Sequence, residues 1–401
     1  MRGNITNWFK KRKIMIYLLY EEIDMKKIIK YTDKPLLFVT VILFIIGLIM
    51  VFSASNVTAY MTKEVSPYNY FIKQGVFLII GLILSLIMVR FTTKSYGFFS
   101  WVLLFLGMLA LVGVLFIGAK RNQAVSWFDL GFFSIQPSEF IKIITIVFLA
   151  DYYDKNERNL KDWKRSIFPL LVCMVIACLI FVQPDLGTTI IYCVIVGVLF
   201  LAVPIDKEIK YKTLLFIFGL IIVGGATIWL GGKGVLLERQ LERLDYSRPC
   251  DKILSTGSQV CNCYIAFNQG GLTGVGLGNS MQKYLYLPEP YTDFIFAIII
   301  EELGVITGVA IILMYMFIIL RILLIGRKSP KNRGATICYG IAAYLFLHIA
   351  INLMGIMGLI PLTGVPLPFM SYGGSFTICL VAALTMVQRV SIENGILNEK
   401  Q

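Results

Sequence analysis

The chain has 401 residues, of which 57% are hydrophobic and only 15% charged, with a formal net charge of +13. So few charges exclude an ordinary soluble globular protein, in which about 25% of residues are charged. Recurring apolar runs of about 18 residues indicate a polytopic helical membrane protein instead. The alternation of a membrane β-barrel is absent, and the positive charge belongs to basic loops against anionic lipid rather than to nucleic-acid binding.

The first 34 residues include "KKRKIMIYLLYEEIDMKK", a basic, partly amphipathic approach to the membrane. Its apolar part is too short for a cleaved signal peptide, and Met25, before Lys26 and Lys27, offers an alternative start. Ten apolar segments follow, at roughly 35–55, 70–89, 98–118, 137–152, 166–182, 186–203, 213–232, 293–320, 335–360 and 374–392. The fourth to sixth are short, and the turn Gln183-Pro184-Asp185 separates the fifth from the sixth. Lys and Arg concentrate in 1–34, 151–165 and 321–336, which fall on one side if the spans alternate. The expected fold is therefore all-α, with ten transmembrane helices, both termini cytoplasmic and a large extracytoplasmic loop, 233–292, between helices seven and eight. It divides into a basic cytoplasmic segment (1–34), a transmembrane domain (35–392) and a cytoplasmic tail (393–401).

Three outer segments are rich in proline, glycine and polar residues: "SWFDLGFFSIQPSEFIK", the loop from Lys233 to Thr292, and "PLTGVPLPFMSYGGSF". Irregular backbone at membrane depth survives only when buried in protein or lining a polar cavity, so the third segment reads as a re-entrant or cavity-lining loop. Cys173, Cys178, Cys193, Cys338 and Cys379 fall in spans and act as small apolar residues. Cys250, Cys261 and Cys263 share the large loop, where Cys250 can pair with Cys261 or Cys263. Without a nearby histidine they make a poor zinc site.

The acids of "YLPEPYTDFIFAIIIEELG" carry the chemical question. Pro288 and Pro290 disfavour helix in the residues before them. Thr292 is then expected to cap a helix with Asp293 in its first turn, where unpaired N–H groups favour the ionised carboxylate. An anionic aspartate facing a wet outer cavity has the properties of a general base; a helix cap and nothing more is the alternative. Glu301 and Glu302 lie about 12–13 Å further along, near mid-membrane, with backbone directions about 100° apart. They are expected to pair within the bundle, with Lys73, Lys142 or His348 as candidates, and not to share one partner. Glu139 and Lys142, three apart, can pair on one helix face or offer Lys142 to a phosphate. Lys73 can join them or snorkel outward. His348, the only histidine, reads as a bundle hydrogen-bonding residue, which argues against a Ser–His–Asp device around Ser371 or Ser375. "GGLTGVGLG" lacks the context of a phosphate-binding loop and reads as close packing. No nucleotide motif appears, so an enzyme of this design would take a substrate already activated in the membrane, such as a lipid-linked pyrophosphate sugar. Transporters use the same materials.

"QPSEFIK", "QPDLGTT", "GGLTGVGLGNSMQKYLYLPEPYTDFIFAIIIEELG" and "GVPLPFMSYGGS" together resemble the signature segments of the SEDS family (shape, elongation, division and sporulation), in order across roughly residues 35–392. The segment from Gly278 to Ala297 is closer to the division members than to the elongation members. The resemblance implies ten transmembrane helices in the cytoplasmic membrane of a bacterium. It implies polymerisation of lipid II into glycan strands at the outer face, beside a class B penicillin-binding protein and other divisome or elongasome membrane proteins. The family's essential aspartate matches Asp293, and its Glu and Lys match Glu139 and Lys142. Lys73, Gln259, Glu289 and Ser371 are the further residues expected at the substrate, with Glu301, Glu302 and His348 structural. Gln259 stands where members carry a "GYQ" element, but the aromatic residue is missing from "STGSQVCNCYIAF". In the implied mechanism Asp293 takes the proton of an acceptor sugar hydroxyl as undecaprenyl pyrophosphate departs, and Lys142, Lys73 or a divalent cation offsets the leaving charge. No other cofactor is called for. A lipid II flippase and a non-enzymatic divisome scaffold remain the rival readings.

Overall fold

The computed structural model describes residues 25–121, 124–129, 131, 133–230, 249–252, 257–284 and 286–399. A short helix α1 (Met25–Tyr31) leads into α2 (Lys34–Met61), α3 (Asn69–Met88) and α4 (Thr93–Ile117). Three short strands follow, β1 (Ala119–Arg121), β2 (Ala124–Asp129) and β3 (Ser134–Ile135). Next come α5 (Pro137–Asn156), α6 (Trp163–Val182), α7 (Leu186–Ala202), α8 (Lys207–Leu230) and α9 (Ser258–Gly270). The chain closes with α10 (Ile295–Arg327), α11 (Asn332–Ile356) and α12 (Gly374–Glu399). Each expected apolar segment carries a helix. Among the described residues, seven are long and apolar enough to cross a membrane, and α7 is a shorter apolar helix. The chain is thus a mostly helical, multi-pass membrane protein.

The expected helical bundle carries one small addition that the sequence did not signal. Strands β1, β2 and β3 pair antiparallel in that order. Strands this short carry too few residues for a period of two to stand out beside long apolar runs. Residues 1–24, including the basic "KKRK" run, lie outside the described residues, as do 231–248, 253–256 and 285 of the loop beyond Leu230. The tail is not separate: α12 runs on to Glu399, whose carboxylate meets Lys30 at 3.0 Å and Lys27 at 3.6 Å on α1.

Helices α5, α10, α11 and α12 form the centre, while α3 and α4 leave most of their apolar side chains facing outward. Pro169 shows how a helix interior is repaired. Proline lacks the N–H that would reach the carbonyl of Arg165, and the hydroxyl of Tyr152 donates to that carbonyl instead, at 3.0 Å. One end of the bundle is tied by charge. Arg321 grips Asp33 at 2.9 Å, Arg333 reaches Asp151 and Asp154, and the buried Arg389 joins Glu393 at 3.2 Å and the Val89 carbonyl at 3.1 Å. The other end collects the irregular segments.

Candidate active site

The approach to Asp293 is a turn built by its two prolines. Glu289, exposed and with φ +47°, presents a carbonyl that accepts both the N–H of Thr292, at 3.1 Å, and its hydroxyl, at 2.9 Å. The Thr292 side chain is therefore turned back and does not cap the following helix. Helix α10 begins at Ile295 with Phe294 in the cap position and no side-chain cap bond. Asp293 thus sits in the turn ahead of the helix, not in its first turn as expected.

Two segments hold Asp293 in place. The side-chain amide of Asn352 on α11 donates to the Asp293 carbonyl at 2.9 Å and to the Val365 carbonyl at 2.8 Å. The Ser371 hydroxyl donates to the Thr292 carbonyl at 2.6 Å and accepts from Leu367 N–H at 2.8 Å. The segment from Pro361 to Gly373 is thereby laced to the turn. Gly364, at φ +73°, faces the carboxylate so closely that a Cβ there would lie 3.4 Å from Oδ2. The Asp293 side chain is half-buried. Tyr70, Tyr291 and Tyr372 cluster beside the turn, with ring centroids 4.4 to 5.8 Å apart. Burial, then its bond with Tyr70, holds the Tyr291 phenol well above its ordinary value, so it stays neutral. Gln74 on α3 completes the end by bonding Thr377 at 3.0 Å and the Gly373 N–H at 3.2 Å.

Glu139 and Lys142 do pair, at 2.9 Å, and both are buried. Lys142 also meets Nε2 of His348 at 3.0 Å, while Nδ1 faces the Tyr344 carbonyl at 2.8 Å. A carbonyl only accepts, so Nδ1 carries the proton and Nε2 accepts from the ammonium. Lys73 lies half-buried near the start of α3, one turn on from Tyr70. Gln259 is half-buried at the start of α9.

The expected partners of Glu301 and Glu302 are corrected by the structure. Neither meets Lys73, Lys142 or His348. Glu302 pairs with Lys283 at 3.0 Å and accepts from Ser53 at 2.6 and 2.8 Å. Glu301 accepts from the Ser280 hydroxyl at 2.5 Å and from the N–H groups of Met281 and Gln282 at 2.7 and 3.3 Å. Ser280 even serves both acids, since its N–H also faces Glu302 at 3.4 Å. The cause is a break in α10 at Gly304 (φ 82°, ψ 166°). There the glycine loop inserts and trades main-chain bonds with the helix. Val275 and Gly276 donate to the carbonyls of Glu301 and Glu302, both at 3.0 Å, while Val305 and Ile306 donate to Gly271 and Leu272 at 3.0 and 3.2 Å. "GGLTGVGLG" is a close-packing loop, as expected. The stretch Val305–Arg327 alone is about 34 Å long, the thickness of a hydrocarbon core. The two glutamates therefore lie at the end of the membrane-length stretch rather than near its middle.

In the loop between α8 and α10, Cys250 pairs with Cys261 and not with Cys263. Two residues apart on α9, the two cysteines point about 200° apart, and Cys263 faces the core. Among the described residues, no three His, Cys, Asp or Glu side chains gather as metal ligands. The sequence reading does not find Lys283, Ser53, Gln74 or the three tyrosines. An amide within an apolar span was the available signal for Asn352.

A membrane bundle whose irregular segments converge on one half-buried aspartate, with buried charges beneath, defines a membrane-embedded enzyme or carrier for a polar substrate. The family model described as cell cycle protein (FTSW_RODA_SPOVE) matches residues 34–395, and the chain belongs to that family. It is similar to the probable peptidoglycan glycosyltransferase FtsW of Bacillus subtilis (strain 168), with 36% identity over 92% of each chain. It is likewise similar to stage V sporulation protein E of the same organism, with 36% identity over 90% of this chain and 96% of the other. Among solved structures, the fold matches a chain of a peptidoglycan synthase complex with a TM-score of 0.71 and 24% identity, covering 90% of this chain and 98% of that one. The rod shape determining protein RodA of Thermus thermophilus matches with a TM-score of 0.63 and 21% identity, covering 90% and 96%.

Proposed function

We propose that the protein is a peptidoglycan glycosyltransferase that polymerises lipid II at the outer face of a bacterial cytoplasmic membrane. Ten helices cross the membrane with both termini in the cytoplasm, and the end bearing Asp293 faces outward. The reading is supported by the family membership and by the relatives named as glycosyltransferases. The geometric observation that carries it is the fixing of Asp293 between a proline turn and a glycine-bearing loop, with its side chain half-buried.

In this reading the acceptor sugar's 4-hydroxyl meets the Asp293 carboxylate, which takes its proton as the oxygen attacks the donor's anomeric carbon. The bond from that carbon to undecaprenyl pyrophosphate breaks, and the pyrophosphate leaves as the anion. Lys73 stands at the rim to offset that charge, with Gln259 and Glu289 as polar contacts to the sugars. Glu139, Lys142 and Ser371 support the site from beneath. The described residues offer no preformed set of ligands for a divalent cation, so no step is assigned to one. A class B penicillin-binding protein and other divisome or elongasome membrane proteins are the proposed partners.

Purified protein in vesicles with fluorescent lipid II tests the assignment. The transferase reading expects polymer from the wild type and none from Asp293→Ala. Lipid flipping without polymer would establish a carrier instead. An Asp293→Asn variant with full function in cells and an intact protein complex would establish a scaffold.

A further inference from the structure

Asn352 and His348 lie one turn apart on α11, so they share one face of that helix, separated by about 6 Å along its axis. Each makes a bond that its helix does not need. Asn352 is buried, and both N–H groups of its amide go to carbonyls in irregular backbone, those of Asp293 and Val365. Such carbonyls have no helical donor and must be satisfied by side chains or water. The same amide thus fixes the main chain of Asp293 and the loop that presents Gly364 to its carboxylate. His348 is fully buried, with one nitrogen anchored on its own helix at Tyr344 and the other accepting from Lys142. Lys142 in turn holds Glu139.

We propose that Asn352 is the positioning residue for Asp293, and that His348 is the positioning residue for the Lys142–Glu139 pair, so that one face of α11 sets both in a single frame. The proposal rests on the reading of Asp293 as the general base. It assigns His348 a task that neither a proton donor nor a metal ligand would have. The imidazole is a neutral acceptor that aims an ammonium group. It also separates Asn352 from the residues that contact substrate, because both of its donors are engaged within the protein.

A displacement of about 1 Å at a reacting group costs on the order of 100-fold in rate. Steady-state polymerisation with fluorescent lipid II, measured for the full-length protein, therefore separates positioning from binding. Asn352→Leu is expected to lower kcat by about 100-fold with KM within about 3-fold of wild type. His348→Leu is expected to lower kcat by about 10-fold, and His348→Gln, whose amide oxygen can accept from Lys142, to restore it to within about 3-fold. If the leucine variant at 352 is not recovered folded, Asn352→Ala decides. It removes both side-chain donors, and its wild-type kcat would overturn the proposal as surely as that of Asn352→Leu. Equal losses for His348→Gln and His348→Leu would also overturn it, as would a rise in KM at unchanged kcat. Asp293→Asn in the same assay separates the two layers. If that variant is active, the general-base reading fails. If it is inactive while Asn352 variants run at the wild-type rate, only the positioning proposal fails.

Discussion

Replacing Lys283 by methionine should destabilise the protein by about 3 kcal/mol. Lys283 and Glu302 are both buried and meet at 3.0 Å. Removing one member of a buried ion pair strands the other and costs about 3–5 kcal/mol. The low end applies because Glu302 keeps the Ser53 hydroxyl, at 2.6 and 2.8 Å, and the Ser280 N–H, at 3.4 Å. Adding Glu302→Gln removes the stranded charge, so the double variant should recover at least about 1 kcal/mol of the loss. Reversible denaturant unfolding of the detergent-solubilised protein, run as a double-mutant cycle, reads both values. A Lys283→Met variant within about 0.5 kcal/mol of wild type, or a double variant that is simply additive, would refute the claim that Lys283 and Glu302 form a coupled buried pair.

Three further outcomes follow from the same geometry. Gly304→Ala should be destabilised by more than about 2 kcal/mol in the same unfolding assay, since φ 82° and ψ 166° suit glycine and a Cβ would meet the Leu272 carbonyl. Reducing the Cys250–Cys261 bond, which closes a loop of sequence separation 11, should lower stability by up to about 3 kcal/mol. Melts with and without reductant, compared with a Cys250→Ser/Cys261→Ser variant that no longer responds to it, check this. The Tyr291 phenol is held up by burial, so the folded state keeps a proton that the unfolded chain releases near the ordinary value of 10.0. Its contribution is present in full below about pH 10 and is lost as pH rises toward the folded value. Stability measured from pH 8 to 11 should therefore fall at the alkaline end more steeply for wild type than for Tyr291→Phe.

The helices were legible because an apolar run of membrane length satisfies its backbone groups within itself only as a helix, and α2 to α8 and α10 to α12 stand where those runs predict them. Their ends were less legible. Helix α12 continues past its apolar part to Glu399 because its polar end packs on α1, a tertiary contact with no local signal. The Glu139–Lys142 pair could be read from spacing of three on one helix face, and the glycine loop from its lack of a strand and lysine. The partners of Glu301 and Glu302 could not. The reading assumed an unbroken helix at that depth, whereas Gly304 admits a distant loop and brings Lys283 and Ser280 to both acids. The same limit hid the environment of Asp293. Its neighbours Asn352, Gly364 and Ser371 come from segments some 60 to 80 residues away, and the Thr292 cap failed because a nearer carbonyl, that of Glu289, captured its hydroxyl.

The rate at which purified Asp293→Asn protein extends fluorescent lipid II, beside wild type at equal folded concentration, bears most directly on the central claim. An amide of the same shape keeps the turn and its bonds but cannot accept the hydroxyl proton, so the rate should fall by about 100-fold or more. Chain extension within about 3-fold of wild type would contradict the assignment of Asp293 as the base.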